Sequence, residues 1–352
     1  MRNYYKCTKV ATVFLICFSF IFASTAYAYA AENNNKNYVY LGGEAFGIKM
    51  FTKGALIVKL EEFICKNEKV CPAIKSGLRV NDNIIVADNK EISSNDQFEK
   101  IIENSKGNKI KLKVIRNNKE ICLDVTPKLC NDNKYKIGAW VRDSCAGIGT
   151  ISYYDCDNMT YAALGHGICD VDTKELMPFE SGKVVSAEIN GISKSTSGNA
   201  GTLNGYLTEK NIGDISLNTE LGIYGKFNSI SSDKPKLEIA EKNELKTGSA
   251  VFYSTIDDSG VQKFDAQIIS IGDTSDKTNK NFVIEITDKE LLNKTGGIVQ
   301  GMSGSPVVQN GKLVGVINHV FVNEPNKGYC VIVENMKSNF ETKHNILYEK
   351  AG

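Results

Sequence analysis

Gly301-Met302-Ser303-Gly304-Ser305-Pro306 holds a serine between glycines and closes the turn with proline. A serine hydroxyl attacks a carbonyl well only when a base takes its proton and backbone N–H groups await the developing oxyanion. Glycines permit a tight turn that aims the Gly301 and Ser303 N–H groups at one point, and the proline stiffens the exit. Ser303 is therefore the candidate nucleophile, with Gly301 and Ser303 as the candidate oxyanion hole. Alone, the hexapeptide equally fits a plain turn between strands. Its continuation shifts the balance, because Val307-Val308-Gln309 and Lys312 to His319 flank Asn310-Gly311, the strongest short-range hairpin signal.

A base must come from His166, His319 or His344, the chain's three histidines. His166 lies in Tyr161-Ala162-Ala163-Leu164-Gly165-His166-Gly167-Ile168, a small-residue strand end with glycine on both sides of the imidazole. That setting suits a histidine exposed where a strand becomes a loop. His319 is the rival, sixteen positions after Ser303 and on the strand that follows the hairpin. In a trypsin-like barrel this strand lies beside the nucleophile and pairs with the extended substrate, so Asn318, His319 and Val320 are the candidate substrate strand. His344 falls in a polar C-terminal tail. The third member should be a carboxylate that fixes the imidazole tautomer. Asp288, fifteen positions before Ser303, ends the strand-like run Phe282 to Asp288, while Asp170, Asp172 and Asp214 compete on spacing alone.

Ala163-Leu164-Gly165-His166-Gly167, Thr295 to Pro306, Asn318-His319-Val320-Phe321-Val322-Asn323 and Val141 to Thr150 together resemble the stage IV sporulation protein B peptidases. The resemblance runs from about residue 38 to the C-terminus. It implies a serine endopeptidase with a trypsin-like double β-barrel, with His166 matching the family base, Asp288 the acid and Ser303 the nucleophile. It further implies export from the forespore into the space between the two forespore membranes. There the family cuts a membrane-bound regulator of an intramembrane protease, triggering late sigma-factor activation, and cuts itself. Cys145, Cys156, Cys169 and Cys330 lie at or near motif positions that do not call for cysteine, and Cys169 is close enough to His166 to perturb the site.

The N-terminus reads as a leader. Arg2, Lys6 and Lys9 precede the apolar stretch Val10 to Ala23, and Ala26-Tyr27-Ala28-Tyr29-Ala30 offers small-residue cleavage sites. Residues 1–31 are expected to be a signal peptide or, if uncut, a membrane anchor. Residues 32–37 form a polar linker that cannot bury enough apolar surface to order itself, and so is an accessible place for self-cleavage. Of ten cysteines, Cys7 and Cys17 fall in the leader and eight remain, an even number that permits disulfides in an exported protein. Cys65 with Cys71 and Cys122 with Cys130 are close enough in sequence to pair, and buried free thiols are the alternative. No Cys-x-x-Cys occurs and histidines are scarce, so neither a metal nor a cofactor is expected.

Tyr40 to Met50 resembles the opening of a PDZ domain, whose peptide-binding apolar-Gly-apolar loop would be Phe46-Gly47-Ile48. Cys71 to Asp82 resembles a later PDZ stretch, with Asn81 where glycine is common. Ser94 to Glu103 reads as a helix with Ser94 and Gln97 at capping-box spacing, followed by strands from Lys109 to Arg116 and Lys119 to Val125 about Asn117-Asn118. The expected organisation is a PDZ domain (α+β) at 38–128 and a mainly β, trypsin-like double-barrel peptidase at 129–352. Between residues 180 and 270 short strands and glycine turns alternate, and Ser195-Thr196-Ser197-Gly198-Asn199-Ala200-Gly201 reads as a loop. A formal charge of +1 gives no long-range attraction to nucleic acid, and no phosphate-cradling loop appears. Expected partners are a protein substrate, a peptide or protein ligand of the PDZ domain and, if the leader stays, a membrane. A general quality-control protease and a PDZ scaffold with an inert peptidase remain the other readings.

Overall fold

The computed structural model describes residues 37–351, and the expected leader and most of the linker lie outside the described residues. Strand β1 (Tyr38–Leu41) is followed by β2 (Ala45–Leu60), whose two halves pair with different neighbours in one sheet. Its first half, Phe46 to Phe51, pairs with residues Ser181 to Ser186, far along the chain. Its second half pairs with β3 (Asn83–Ala87) through Ala55↔Ile84 and Leu56↔Asn83. Burial alternates from Ile48 to Gly54 and is continuous from Gly54 to Ile57, with Ile48 and Met50 entering one core and Ala55 and Ile57 another.

Leaving β2, the chain builds a small α+β unit. It contains α1 (Pro72–Lys75), β3, α2 (Asn95–Asn104), β4 (Ile110–Arg116) and β5 (Lys119–Val125) around Ile57, Ile84, Phe98, Leu112 and Val114. Ser94 caps α2 by accepting from Gln97 N at 3.2 Å, and the Gln97 side chain reaches back to accept from Ser93 N at 2.9 Å. Phe98, Ile101 and Ile102 form the buried stripe of that helix. Asn117 and Asn118, at φ 50 and 60, make the left-handed turn that joins β4 to β5 without splaying the strands.

Strand β6 (Ala139–Asp155) then returns along β2 for its whole length. Ala139 to Arg142 pair with the second half of β2, and Ser144 to Thr150 pair with its first half. The α+β unit is thus inserted between two strands of a barrel and shares both with it. Strand pairing over such long sequence separations leaves no local mark in the sequence. Continuing through β7 (Thr160–Ala163), β8 (Ser181–Ser193), β9 (Thr202–Thr219) and β10 (Gly222–Phe227), six strands pair in the ring β2, β6, β7, β10, β9, β8 and back to β2. Phe46, Ile48, Ile151, Tyr161, Ile215 and Ile223 fill it.

A second closed barrel follows: β11 (Gly248–Thr255), β12 (Val261–Ile271), β13 (Phe282–Ile286), β14 (Pro306–Gln309), β15 (Lys312–Val320) and β16 (Lys327–Ile332). Phe252, Ile268, Ile284, Met302, Ile317 and Ile332 make its core, each fully buried side chain contributing about 1.5–3 kcal/mol. Helix α3 (Lys289–Thr295) interrupts it after β13, and α4 (Val333–Ala351) ends the described chain, so the tail with His344 is helical. Asn310 and Gly311, at φ 51 and 79, form the β14–β15 hairpin turn as expected. The molecule is mainly β, with two barrels and an α+β insertion.

All eight described cysteines are free thiols. Instead of joining each other, Cys65 Sγ donates to Leu129 O at 3.1 Å and Cys71 Sγ to Gly138 O at 3.4 Å. Cys122 is exposed while Cys130 is buried.

Candidate active site

Ser303 and His166 reach one cleft from opposite barrels. The turn between Gln300 and Pro306 carries Ser303 in front of β14, and the loop after β7 carries His166. The cleft encloses about 850 Å³ and is also lined by Gln300, Gly301, His319 and Cys169. In the serine turn Gly301 takes φ +102, a conformation that side chains rarely adopt. At Gly304 an added Cβ would lie 1.8 Å from Thr150 O. Both glycines of the motif are therefore steric requirements.

The peptide planes of this turn are pinned so that two N–H groups face outward. Leu203 N donates to Gln300 O at 2.8 Å, and Met302 O accepts from Ser305 N at 3.0 Å and Ser305 Oγ at 2.6 Å. A trans peptide directs its N–H opposite its C=O. The Gly301 and Ser303 N–H groups, across those two planes, are thus directed away from the carbonyl partners, and no hydrogen bond to them occurs among the described residues. Two preset donors on one turn are the form of an oxyanion hole. Thr150 of β6 steadies the turn from the first barrel, its Oγ1 donating to Gly301 O at 2.8 Å and its N to Ser303 O at 2.9 Å.

His166 is delivered by a kinked strand end. Leu164, buried, takes φ +70 and Gly165 φ +68, and a left-handed leucine costs about 1–2 kcal/mol. Asn218 holds the following segment, accepting from Ile168 N at 2.8 Å and donating to Ile168 O at 3.0 Å. The imidazole Nδ1 lies 2.8 Å from Gly167 O. With Nδ1–H donated there, Nε2 remains the acceptor, which is the tautomer a base requires. Burial lowers the His166 pKa below its ordinary value, opposed in part by the Gly167 carbonyl. His319 faces it across 5.1 Å between ring centroids, and burial, His166 and Lys280 push the His319 pKa down to about 4.

Ser303 Oγ donates to Asn318 O at 2.9 Å, so its proton rests on a β15 carbonyl and not on the imidazole. Asn318 is buried; its Nδ2 donates to Gly165 O at 3.3 Å, and its Oδ1 has no partner. Of the expected substrate strand, His319 lines the cleft, Asn318 lies beneath it, and Val320 packs against the second-barrel core. Cys169 also faces the cleft, and burial with Glu175 and Glu220 raises its thiol pKa, which disfavours the thiolate.

Asp288 is not brought to the imidazole. It is the N-cap of α3, its Oδ1 accepting from Leu291 N at 2.9 Å and its Oδ2 from Asp265 N at 3.5 Å. Neither it nor Asp214 lines the cleft. Asp170 and Asp172 are held by Arg142, at 2.8 Å for Asp172. No carboxylate bonds His166 among the described residues, and the contact fixing its tautomer is a backbone carbonyl that residue types alone do not reveal. Spacing left Asp288 level with its competitors and the resemblance singled it out; a residue ending a strand before a helix has the same sequence appearance as one entering a cleft.

Phe46, Gly47 and Ile48 also lie elsewhere than expected. They are buried in the first barrel, paired with Gly149, Ile148 and Gly147, and a Cβ on Gly47 would meet Leu207 at 2.4 Å. The groove of the inserted unit runs instead between α2 and residues Lys134 to Val141. It encloses about 590 Å³ over Phe98, Ile102 and Ile137, with Glu61, Glu99 and Glu103 on its rim.

The sequence profile of the SpoIVB peptidase S55 family matches residues 133–337, and that of the PDZ domain matches residues 48–126. Among solved structures, the inactive form of the Rv3671c protease is similar at 12% identity and a TM-score of 0.32, covering 55% of this chain and 83% of that one. The active form of the same protease from M. tuberculosis is similar at 13% identity and a TM-score of 0.33, covering 56% of this chain and 74% of that one. No curated protein matches the sequence.

Proposed function

This chain belongs to the SpoIVB peptidase S55 family, a family of serine peptidases, and on that premise we propose that it is an exported signalling endopeptidase of sporulation. In this reading it cuts itself and then a membrane-bound regulator of an intramembrane protease in the space between the forespore membranes. The observation that carries the reading is the convergence of Ser303, His166 and two preset N–H donors on one cleft.

In the reaction, Ser303 Oγ turns from Asn318 O to the imidazole, gives its proton to His166 Nε2 and attacks the scissile carbonyl. The oxyanion falls to Gly301 N–H and Ser303 N–H. His166 then hands the proton to the leaving amine, and water repeats the sequence on the acyl-enzyme. The PDZ unit supplies a second, separate peptide groove, and peptide added along such an edge is held by main-chain hydrogen bonds. It serves substrate recruitment and regulation in this reading.

Mass spectrometry of purified wild type and Ser303→Ala tests self-processing in the segment 32–37, most of which lies outside the described residues. A shortened wild type beside a full-length variant is expected. Identical N-termini would refute it, and broad digestion of unfolded casein would favour a quality-control role.

A further inference from the structure

The loop Ser195-Thr196-Ser197-Gly198-Asn199-Ala200-Gly201 joins β8 to β9 and lines no part of the catalytic cleft. It lies instead against the segment that runs from α3 into the serine turn. Ser195 N donates to Thr295 O at 2.8 Å, and Ser195 Oγ donates to Ile298 O at 2.8 Å. The same hydroxyl accepts from Gly201 N at 2.8 Å, which sets the Gly201 peptide. Gln300 N then donates to Gly201 O at 2.8 Å, and Leu203 N donates to Gln300 O at 2.8 Å. Gln300 is thus held on one side by Gly201, which ends the loop, and on the other by Leu203, two residues on in β9.

That bracket fixes the peptide on which half of the oxyanion hole depends. Gly296, Gly297 and Gly301 all take positive φ, so the segment has little intrinsic reason to hold one conformation. If the Gln300–Gly301 plane turned over, its carbonyl would face the cleft in place of the Gly301 N–H, and an acceptor would stand where a donor is needed. Ser195 is buried and its hydroxyl is used as donor and acceptor at once, so alanine there leaves Ile298 O and Gly201 N without their partner.

We propose that this loop assembles the oxyanion hole, with Ser195 as its positioning residue: it touches no reacting atom and acts through Gln300 on the Gly301 N–H. The proposal rests on the serine peptidase reading. Labelling of the full chain by an alkyl fluorophosphonate separates the two, because the phosphoryl oxygen occupies the same hole. In Ser195→Ala the maximal labelling rate constant is expected to fall about tenfold or more, towards the 10²–10³ that loss of a whole donor costs. The probe concentration at half-maximal rate should stay within about twofold, since ground-state contacts are untouched.

A merely structural role would lower the melting temperature and the labelled fraction without slowing the folded molecules. A folded Ser195→Ala that labels within about twofold of the wild-type rate would overturn the proposal while leaving the peptidase reading intact. An unlabelled wild type would overturn both. Should Ser195→Ala not fold, Ser195→Cys, which keeps a weak donor in nearly the same volume, carries the same expectation at smaller size, and a wild-type rate there is the overturning result.

Discussion

Replacing Asp288 by asparagine distinguishes a triad acid from a helix cap. If the Asp288 carboxylate steadied the imidazolium, its amide would leave the ring in the wrong tautomer and cost about 10⁴ in kcat. In the structure the carboxylate instead accepts from Leu291 N at 2.9 Å at the start of α3, while the Asp288 backbone N donates to Asp265 O at 3.1 Å. Asparagine caps helices about as well as aspartate, so Asp288→Asn should keep kcat within about tenfold and leave the melting temperature nearly unchanged. Asp288→Ala loses the cap, which costs about 1 kcal/mol and, for a unit of this size, about 2–4 °C in melting temperature. Its kcat should fall little at temperatures well below melting. Steady-state kinetics and calorimetry on the three proteins decide between the two roles. A 10⁴-fold loss in Asp288→Asn with an unshifted melting temperature would refute the reasoning and show that the carboxylate reaches His166 during turnover.

Thr150→Val removes the hydroxyl that donates to Gly301 O at 2.8 Å and strands that carbonyl in a buried place. About 1–3 kcal/mol of stability should go with it, and kcat should drop while KM holds; unchanged kcat would mean the serine turn does not need the hydroxyl's support. The base must be neutral to act, and burial lowers the His166 pKa, so the acid limb of kcat/KM against pH should lie below the ordinary histidine value of about 6.5. An acid limb above that value would point to a carboxylate partner. By the same linkage the unfolded chain binds protons that the fold resists at His166 and His319, so their contribution to stability is present above about pH 6.5 and is lost as pH falls below it; urea melts between pH 7 and pH 4.5 should show the decline.

The parts of this molecule legible in its sequence are those whose physics is local. Gly301 to Pro306 with its Asn310-Gly311 hairpin, the Ser94 cap and the Asn117-Asn118 turn each depend on a few adjacent residues, and each has the expected backbone form. The hydrogen bonds that brace the serine turn from behind are not local. Thr150 reaches Gly301 over 151 positions, and Ser195 reaches Ile298 over 103. Ser195 to Gly201 reads correctly as a loop, but what the loop holds is set by the packing of two barrels. The misplacement of Phe46-Gly47-Ile48 has the same origin: an apolar-Gly-apolar step suits a PDZ loop and a barrel strand alike, and pairing with Gly147 to Gly149 chooses the strand.

Peptide mapping of the fluorophosphonate adduct asks most simply whether Ser303 and His166 form a working nucleophile and base. Wild type should carry the adduct on Ser303, Ser303→Ala should carry none, and His166→Ala should label slower by several orders of magnitude. Ser305→Ala should still label on Ser303, since Met302 O keeps its bond from the backbone N at position 305. An adduct on Ser305, or a His166→Ala protein that labels at the wild-type rate, would contradict the assignment.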